Sequence, residues 1–471
     1  MTETENTQFN GTFDAQENRI ERLAQIGQER FYFHENMLRE DIFIIEARIF
    51  ACRIKPLKVG TMTVYPNIIS AFIAPPDFLH KGEHMNLQDE IVERVYADKL
   101  PKVPYTDKGK TLWRDITYGV FDLHGTPTGI TDEINGQRPG EDREHQPYDV
   151  VHFRDDEATD VFDNVDGKYH GLFQLLNKLR DRRSEMSTLT KGTRFLPEVR
   201  GMTMIAGLHS GETTKSIFTS GSIRRTNLVV VPHSEIIDDS QGLKEESKKF
   251  LDTWKERVVK HLSRLNGSLL QTEISFVYGK EVEDMLIQIR SKAVSDAKKK
   301  GIRYTYDPEE RVYFLMLYGI YSSLYNEHIV NQEGVFEITL SDLRYAQFYL
   351  KKLQDGYRKE IREMLPDDMQ SIYESVIEVI TEQYTLNHKG VPQTDVSTSP
   401  KIPITGKLLQ KSGKTKSEIL RKIYAQALQN DDIKAIGISA GNNRIKTLYF
   451  PISVSDEEIE EMYPNSQPIF P

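Results

Sequence analysis

The chain reads as an α/β protein: a mostly parallel sheet flanked by helices, then a helical bundle and a small basic domain. Three observations predict it. Short apolar runs recur between helical stretches up to about residue 231, helical periodicity fills residues 241–384, and positive charge gathers after residue 401. Strands that alternate with helices build parallel sheets, because each parallel pair needs a covering crossover.

A length of 471 residues, with 38% hydrophobic and 28% charged, predicts an ordinary globular protein of two or three domains. The longest apolar runs, Ile68 to Pro76 and Val229 to Pro232, fall far short of the roughly 20 residues a membrane span needs. The first residues, MTETENTQFNGTFDAQENR, are polar and acidic and lack a signal-peptide pattern. They predict a disordered tail on a cytoplasmic protein without a membrane partner. Cys52 is the only cysteine, which excludes an internal disulfide or a cysteine-based zinc site, and its apolar surroundings predict a buried thiol. The net charge of −10 excludes a generally basic coat for nucleic acid and leaves room for a local patch.

Residues 1–35 are read as the tail and a helix from about Arg19. The α/β domain is expected over 36–240. Asp41 to Ile54 is apolar enough for either strand or helix, and Val64 to Ala74 is the clearest strand, stopped by Pro75-Pro76. Leu87, Ile91, Val92 and Val95 share one helical face. Gly136 to Pro147 reads as a loop insertion. Asp149 to Phe153, Gly201 to Gly207 and Leu228 to Val231 are further strands, with a helix over Leu172 to Arg183. A bundle of five or six helices is expected over 241–385 and a linker over 386–403. Residues 404–471 read helix, turn, helix and hairpin, the pattern of a winged helix. From Lys401 to Pro451 there are ten Lys or Arg against three Asp or Glu, a local charge of +7.

The chemistry gathers around the first strand. An apolar strand, a Pro-rich loop, a lysine and then a helix is the layout of a phosphate-binding P-loop. Where G-x-x-x-x-G-K-[ST] is the rule, this chain offers Pro75, Pro76, His80, Lys81 and Gly82. Lys81 would reach phosphates, but Gly82 has no hydroxyl for Mg²⁺. About 70 residues on, YDVVHFRDDE is an apolar strand ending in acids, as in a Walker B motif. Asp156 would hold Mg²⁺ through water, with Asp155 as substitute, and Glu157 would activate the attacking water. MTMIAGLHSGETT ends in a candidate polar sensor, His209 or Ser210, and SGSIRR supplies Arg224 and Arg225 as candidate arginine fingers. In the basic domain Lys411, Lys414, Lys416, Arg421 and Lys422, with Arg444 and Lys446 in the wing, are candidate DNA phosphate contacts. Two other G-K-T strings lack the strand a P-loop needs: Gly109-Lys110-Thr111 follows a charged stretch, and Gly413-Lys414-Thr415 lies in the turn of the basic domain.

Taken in order, PNIISAFIAPP, HGTPTGI, VVHFRDDE, GMTMIAGLHS and SGSIRR, then helices and a winged helix, resemble the RecA-like, AAA-type P-loop ATPases that form the helicase half of viral and mobile-element primase–helicases. The resemblance spans about residues 60 to 451. It implies a homo-oligomeric ATPase using ATP and Mg²⁺, acting on DNA in replication. It also implies roles in hydrolysis for Lys81, Asp156, Glu157, His209 and Arg224 or Arg225. With only about 60 residues ahead of the first strand, priming would come from a separate protein.

Two alternatives stay open. One is a catalytically silent DNA-binding adaptor that keeps the architecture. The other is a zinc metallopeptidase, because His80-x-x-Glu83-His84 fits H-x-x-E-H and Glu157 is spaced to be a third ligand. Against it, Gly82 inside such a helix costs about 1 kcal/mol relative to Ala.

Overall fold

The computed structural model describes residues 18–31, 33–74, 80–136, 146–164, 167–182, 185–188, 192–195, 199–209, 226–232, 245–300, 308–331, 333–363, 367–402, 404, 415–429, 432–439, 445–464 and 466–468. The chain divides into two compact units, Met1–Gln288 with Glu309–Glu360, and Ile289–Pro308 with Ile361–Pro471.

The first unit opens with α1 (Arg19–Phe31) and α2 (Glu35–Phe50), the segment whose class the sequence left ambiguous. Its ambiguity has a physical cause: every residue of α2 from Asn36 to Phe50 is buried, so no polar face marks the helical period. After a hairpin of β1 (Leu57–Val59) and β2 (Met62–Val64) comes β3 (Ile68–Ala74), buried at every position. Then follow α3 (His80–Asp98), a hairpin of β4 (Lys102–Asp107) and β5 (Lys110–Asp115), β6 (Tyr118–Phe121) and α4 (Pro127–Ile134). Gly109, at φ +77°, sits in the turn of that second hairpin, so its G-K-T string lies on no strand-to-helix loop. The chain continues with β7 (Val150–Asp155), α5 (Thr159–Asp163), α6 (His170–Arg180), the pair β8 (Glu185–Thr188) and β9 (Gly192–Phe195), β10 (Gly201–His209) and β11 (Asn227–Val230).

Five of these strands form one parallel sheet in the order β11-β3-β10-β7-β6. Alternation along β3 serves its two faces. Ile69, Ala71 and Ile73 join a core with Ile130 of α4, Phe162 of α5 and Leu172, Leu175 and Leu176 of α6. Ser70 and Phe72 point the other way, Ser70 donating to Glu40 of α2 and Phe72 meeting His84 of α3 edge-on. The sheet is thus covered on both faces, as parallel sheets require.

The rest of this unit is helical with one small sheet: α7 (Glu245–Ser268), β12 (Ser275–Tyr278), the first part of α8 (Lys280–Lys300), α9 (Pro308–Asn326), β13 (Ile329–Asn331), β14 (Val335–Ile338) and α10 (Leu340–Glu363). Tyr318 of α9 and Tyr349 of α10 donate to the Glu40 carboxyl from 3.0 and 2.6 Å. That hub fixes the sheet's back to the helices.

The second unit contains α11 (Asp367–Asn387), β15 (Val391–Pro392), α12 (Gln393–Thr398), α13 (Lys416–Gln429), β16 (Ile433–Ser439), β17 (Ile445–Pro451), α14 (Asp456–Met462) and β18 (Gln467–Pro468). Its sheet runs β15-β17-β16-β18, antiparallel throughout. The stretch expected as a linker carries β15 and α12, whose Val391 and Val396 join the core with Ile419, Ile423 and Tyr449. A capping box starts α13: Thr415 accepts from the Glu418 amide at 3.3 Å while the Glu418 carboxylate accepts from Thr415 N at 2.8 Å. Among the described residues, no helix is long and apolar enough to cross a membrane.

Candidate functional site

Connections decide where the site falls. From β3 the chain moves along the sheet toward β6, whereas β6, β7 and β10 each lead back the other way. Right-handed crossovers therefore send the connection after β3 to one face and those after β6 and β7 to the other. Where crossovers part in this way, open parallel sheets take ligands beyond the carboxyl ends of their strands. The residues there are Lys81, the turn 156–158 after β7, and His209.

Lys81 lies in the first turn of α3, buried, with Nζ donating to the Leu208 main-chain oxygen at 3.0 Å and standing 3.1 Å from His209 Nδ1. Desolvation holds its ammonium below the ordinary lysine range, opposed by the charges of Glu157 and Asp156. His209 also lies below its usual value, through desolvation and the adjacent Lys81, with Glu157 opposing. A neutral imidazole fits this contact, because its Nδ1 lone pair accepts from the ammonium.

The acidic turn is laid over the end of β10. Ala158 N donates to the Gly207 carbonyl at 2.9 Å, and His209 N donates to Thr159 Oγ1 at 3.0 Å. Gly207 permits this, since a Cβ there would collide with the main chain of Asp156. The other wall is held from α3: Asp89 pairs with Arg48 of α2 at 2.6 Å and with Arg154 of β7, and Arg154 also donates to Asn86 at 2.7 Å. Beside Asp156, a Cβ built on Gly82 would stand 3.5 Å from Oδ2, so a small side chain fits there.

Of the residues singled out from the sequence, Lys81, Gly82, Asp155, Asp156, Glu157 and His209 come together here. His80 opens α3, and its side chain lies outside the described part. So do Pro75, Pro76, Ser210, Arg224, Arg225, Lys411, Lys414 and Arg444. In the second unit Lys416, Arg421, Lys422 and Lys446 are exposed. His84 faces away from the turn: it is fully buried, paired through Nδ1 with Asp41 of α2 and packed 4.6 Å, centroid to centroid, from Phe33. Glu83 is exposed.

Asp122 and His124, beyond β6, belong beside this site and were given no role in the sequence reading. His124 Nε2 stands 3.2 Å from Asp155 Oδ2. Both follow a four-residue strand too short to show clear alternation; the sequence signal was the His124 to Ile130 string. The chain matches no protein-family model and no curated protein.

Proposed function

We propose that the first unit binds and hydrolyses ATP at the carboxyl edge of its parallel sheet, and that the protein uses this hydrolysis to remodel or unwind DNA. The observation that carries the reading is the position of Lys81. It is a helix-N-terminal lysine between the end of β10 and the acids Asp156 and Glu157. In this reading the amides opening α3 and the Lys81 ammonium receive phosphate. ATP would exchange the lysine's contact with Leu208 for a phosphate oxygen.

Mg²⁺ fits less fully, because Gly82 supplies no ligand; Asp156 would hold it through water. Glu157, two residues past the strand, is exposed and free to orient an attacking water. The exposed lysines and arginine of α13 and β17 support contact with a polyanion, with DNA favoured by the local charge of +7 over residues 401–451. A homo-oligomer, and a separate primase partner, follow from the family resemblance alone.

Phosphate release with and without DNA tests the reading, with Glu157→Gln as control. Turnover that DNA stimulates and that this variant abolishes is expected. Absence of turnover with intact ATP binding would leave the silent adaptor as the better account.

A further inference from the structure

We infer that Asp122, His124 and Asp155 form a protein-held site for a divalent transition-metal ion, distinct from a nucleotide-borne Mg²⁺. Each residue offers one ligand atom, and these atoms lie within 4.8 Å of one another. They come from the ends of two adjacent strands, β6 and β7, whose parallel register pairs Phe121 with Phe153. The sheet itself therefore sets the spacing, which loops alone would hold less well.

Asp155 carries the argument furthest. Its side chain is only 6% exposed, and Oδ1 is committed to the Glu157 amide at 3.0 Å. Oδ2 accepts no hydrogen bond among the described residues, although it lies 3.2 Å from His124 Nε2. A buried carboxylate oxygen facing an imidazole nitrogen without hydrogen-bond geometry suits a shared cation. Two ligands on one metal at about 2.1 Å each stand roughly 3.0 to 3.4 Å apart. The far nitrogen, His124 Nδ1, is 3.5 Å from Tyr169 Oη, which also accepts from Lys168 Nζ at 3.0 Å. With the Nδ1 proton directed at that phenol oxygen, Nε2 would present its lone pair to a metal.

One imidazole with two carboxylates suits Mn²⁺, Co²⁺ or Zn²⁺ better than Mg²⁺, which favours oxygen and keeps its waters. Asp122 and His124 are exposed, so the remaining coordination positions would open to solvent beside the acidic turn. A metal there would add positive charge near Asp156, whose charge acts on both Asp155 and Lys81.

Mn²⁺ alone, titrated into the full chain freed of metal and followed by the paramagnetic resonance of free Mn²⁺, tests the site. Saturable binding of one ion per chain is expected, weakened at least about tenfold in His124→Ala and in Asp122→Asn. Their exposure predicts unchanged thermal melting, which separates lost binding from lost folding. Lys81→Ala should bind Mn²⁺ as the natural chain does, so failure of ATP binding leaves this inference standing. No saturable binding, or equal binding in both variants, would overturn it.

Discussion

Gly207 lies directly beneath Asp156, so close that a β-carbon on the glycine would overlap the aspartate's main chain. This approach carries the acidic turn over β10 and toward Lys81. Gly207→Ala must push the turn outward, a cost of about 1–3 kcal/mol for overpacking. Urea melting should show that loss, and ATP affinity should fall with it. Unchanged affinity at reduced stability would separate the turn from the site.

Gly82→Ser would place a hydroxyl where the proposed nucleotide site lacks one. The new Cβ would meet Asp156 Oδ2 at an ordinary 3.5 Å, and serine suits a helix better than glycine by a few tenths of a kcal/mol. Mg²⁺-dependent ATP affinity is expected to rise, measured as the difference between titrations with Mg²⁺ and with EDTA. A fall in that difference would mean that Asp156 does not face the metal.

Glu46, wholly buried on α2, accepts no hydrogen bond among the described residues, and desolvation pushes its carboxyl well above the ordinary glutamate value of 4.5. The fold thus keeps a proton that the unfolded chain releases. Stability from this group is present below about pH 4.5 and is lost as pH rises toward the folded value. Glu46→Met should flatten that decline and raise neutral-pH stability by about 1–3 kcal/mol. Thermal melts of both proteins from pH 5 to pH 8 check it.

In the second unit, exposed Lys416, Arg421, Lys422 and Lys446 are proposed to meet phosphates. Each replacement by alanine should lower the slope of log K against log salt by about one. DNA binding of the full chain across a salt series measures it; slopes that do not change would place the contacts elsewhere.

The parallel sheet was legible in the sequence because β3, β7, β10 and β11 are short apolar runs bounded by polar or Pro residues. α2 was left as either strand or helix, since its charged residues are buried, some in pairs such as Arg39 with Glu21, and give no solvent face. Lys81, Asp156, Glu157 and His209 were singled out from motif order, and the folded sheet brings them together. Gly207 and Asp122 were passed over, because their places beside this turn depend on strands that meet only in the folded sheet.

The central claim is that Lys81 holds nucleotide. Equilibrium titration of a fluorescent ATP analogue into the natural chain and into Lys81→Ala tests it most directly. Losing a charge-assisted phosphate contact should weaken binding roughly ten- to a hundredfold. Equal affinity in the two proteins, or no saturable binding to the natural chain, would contradict it.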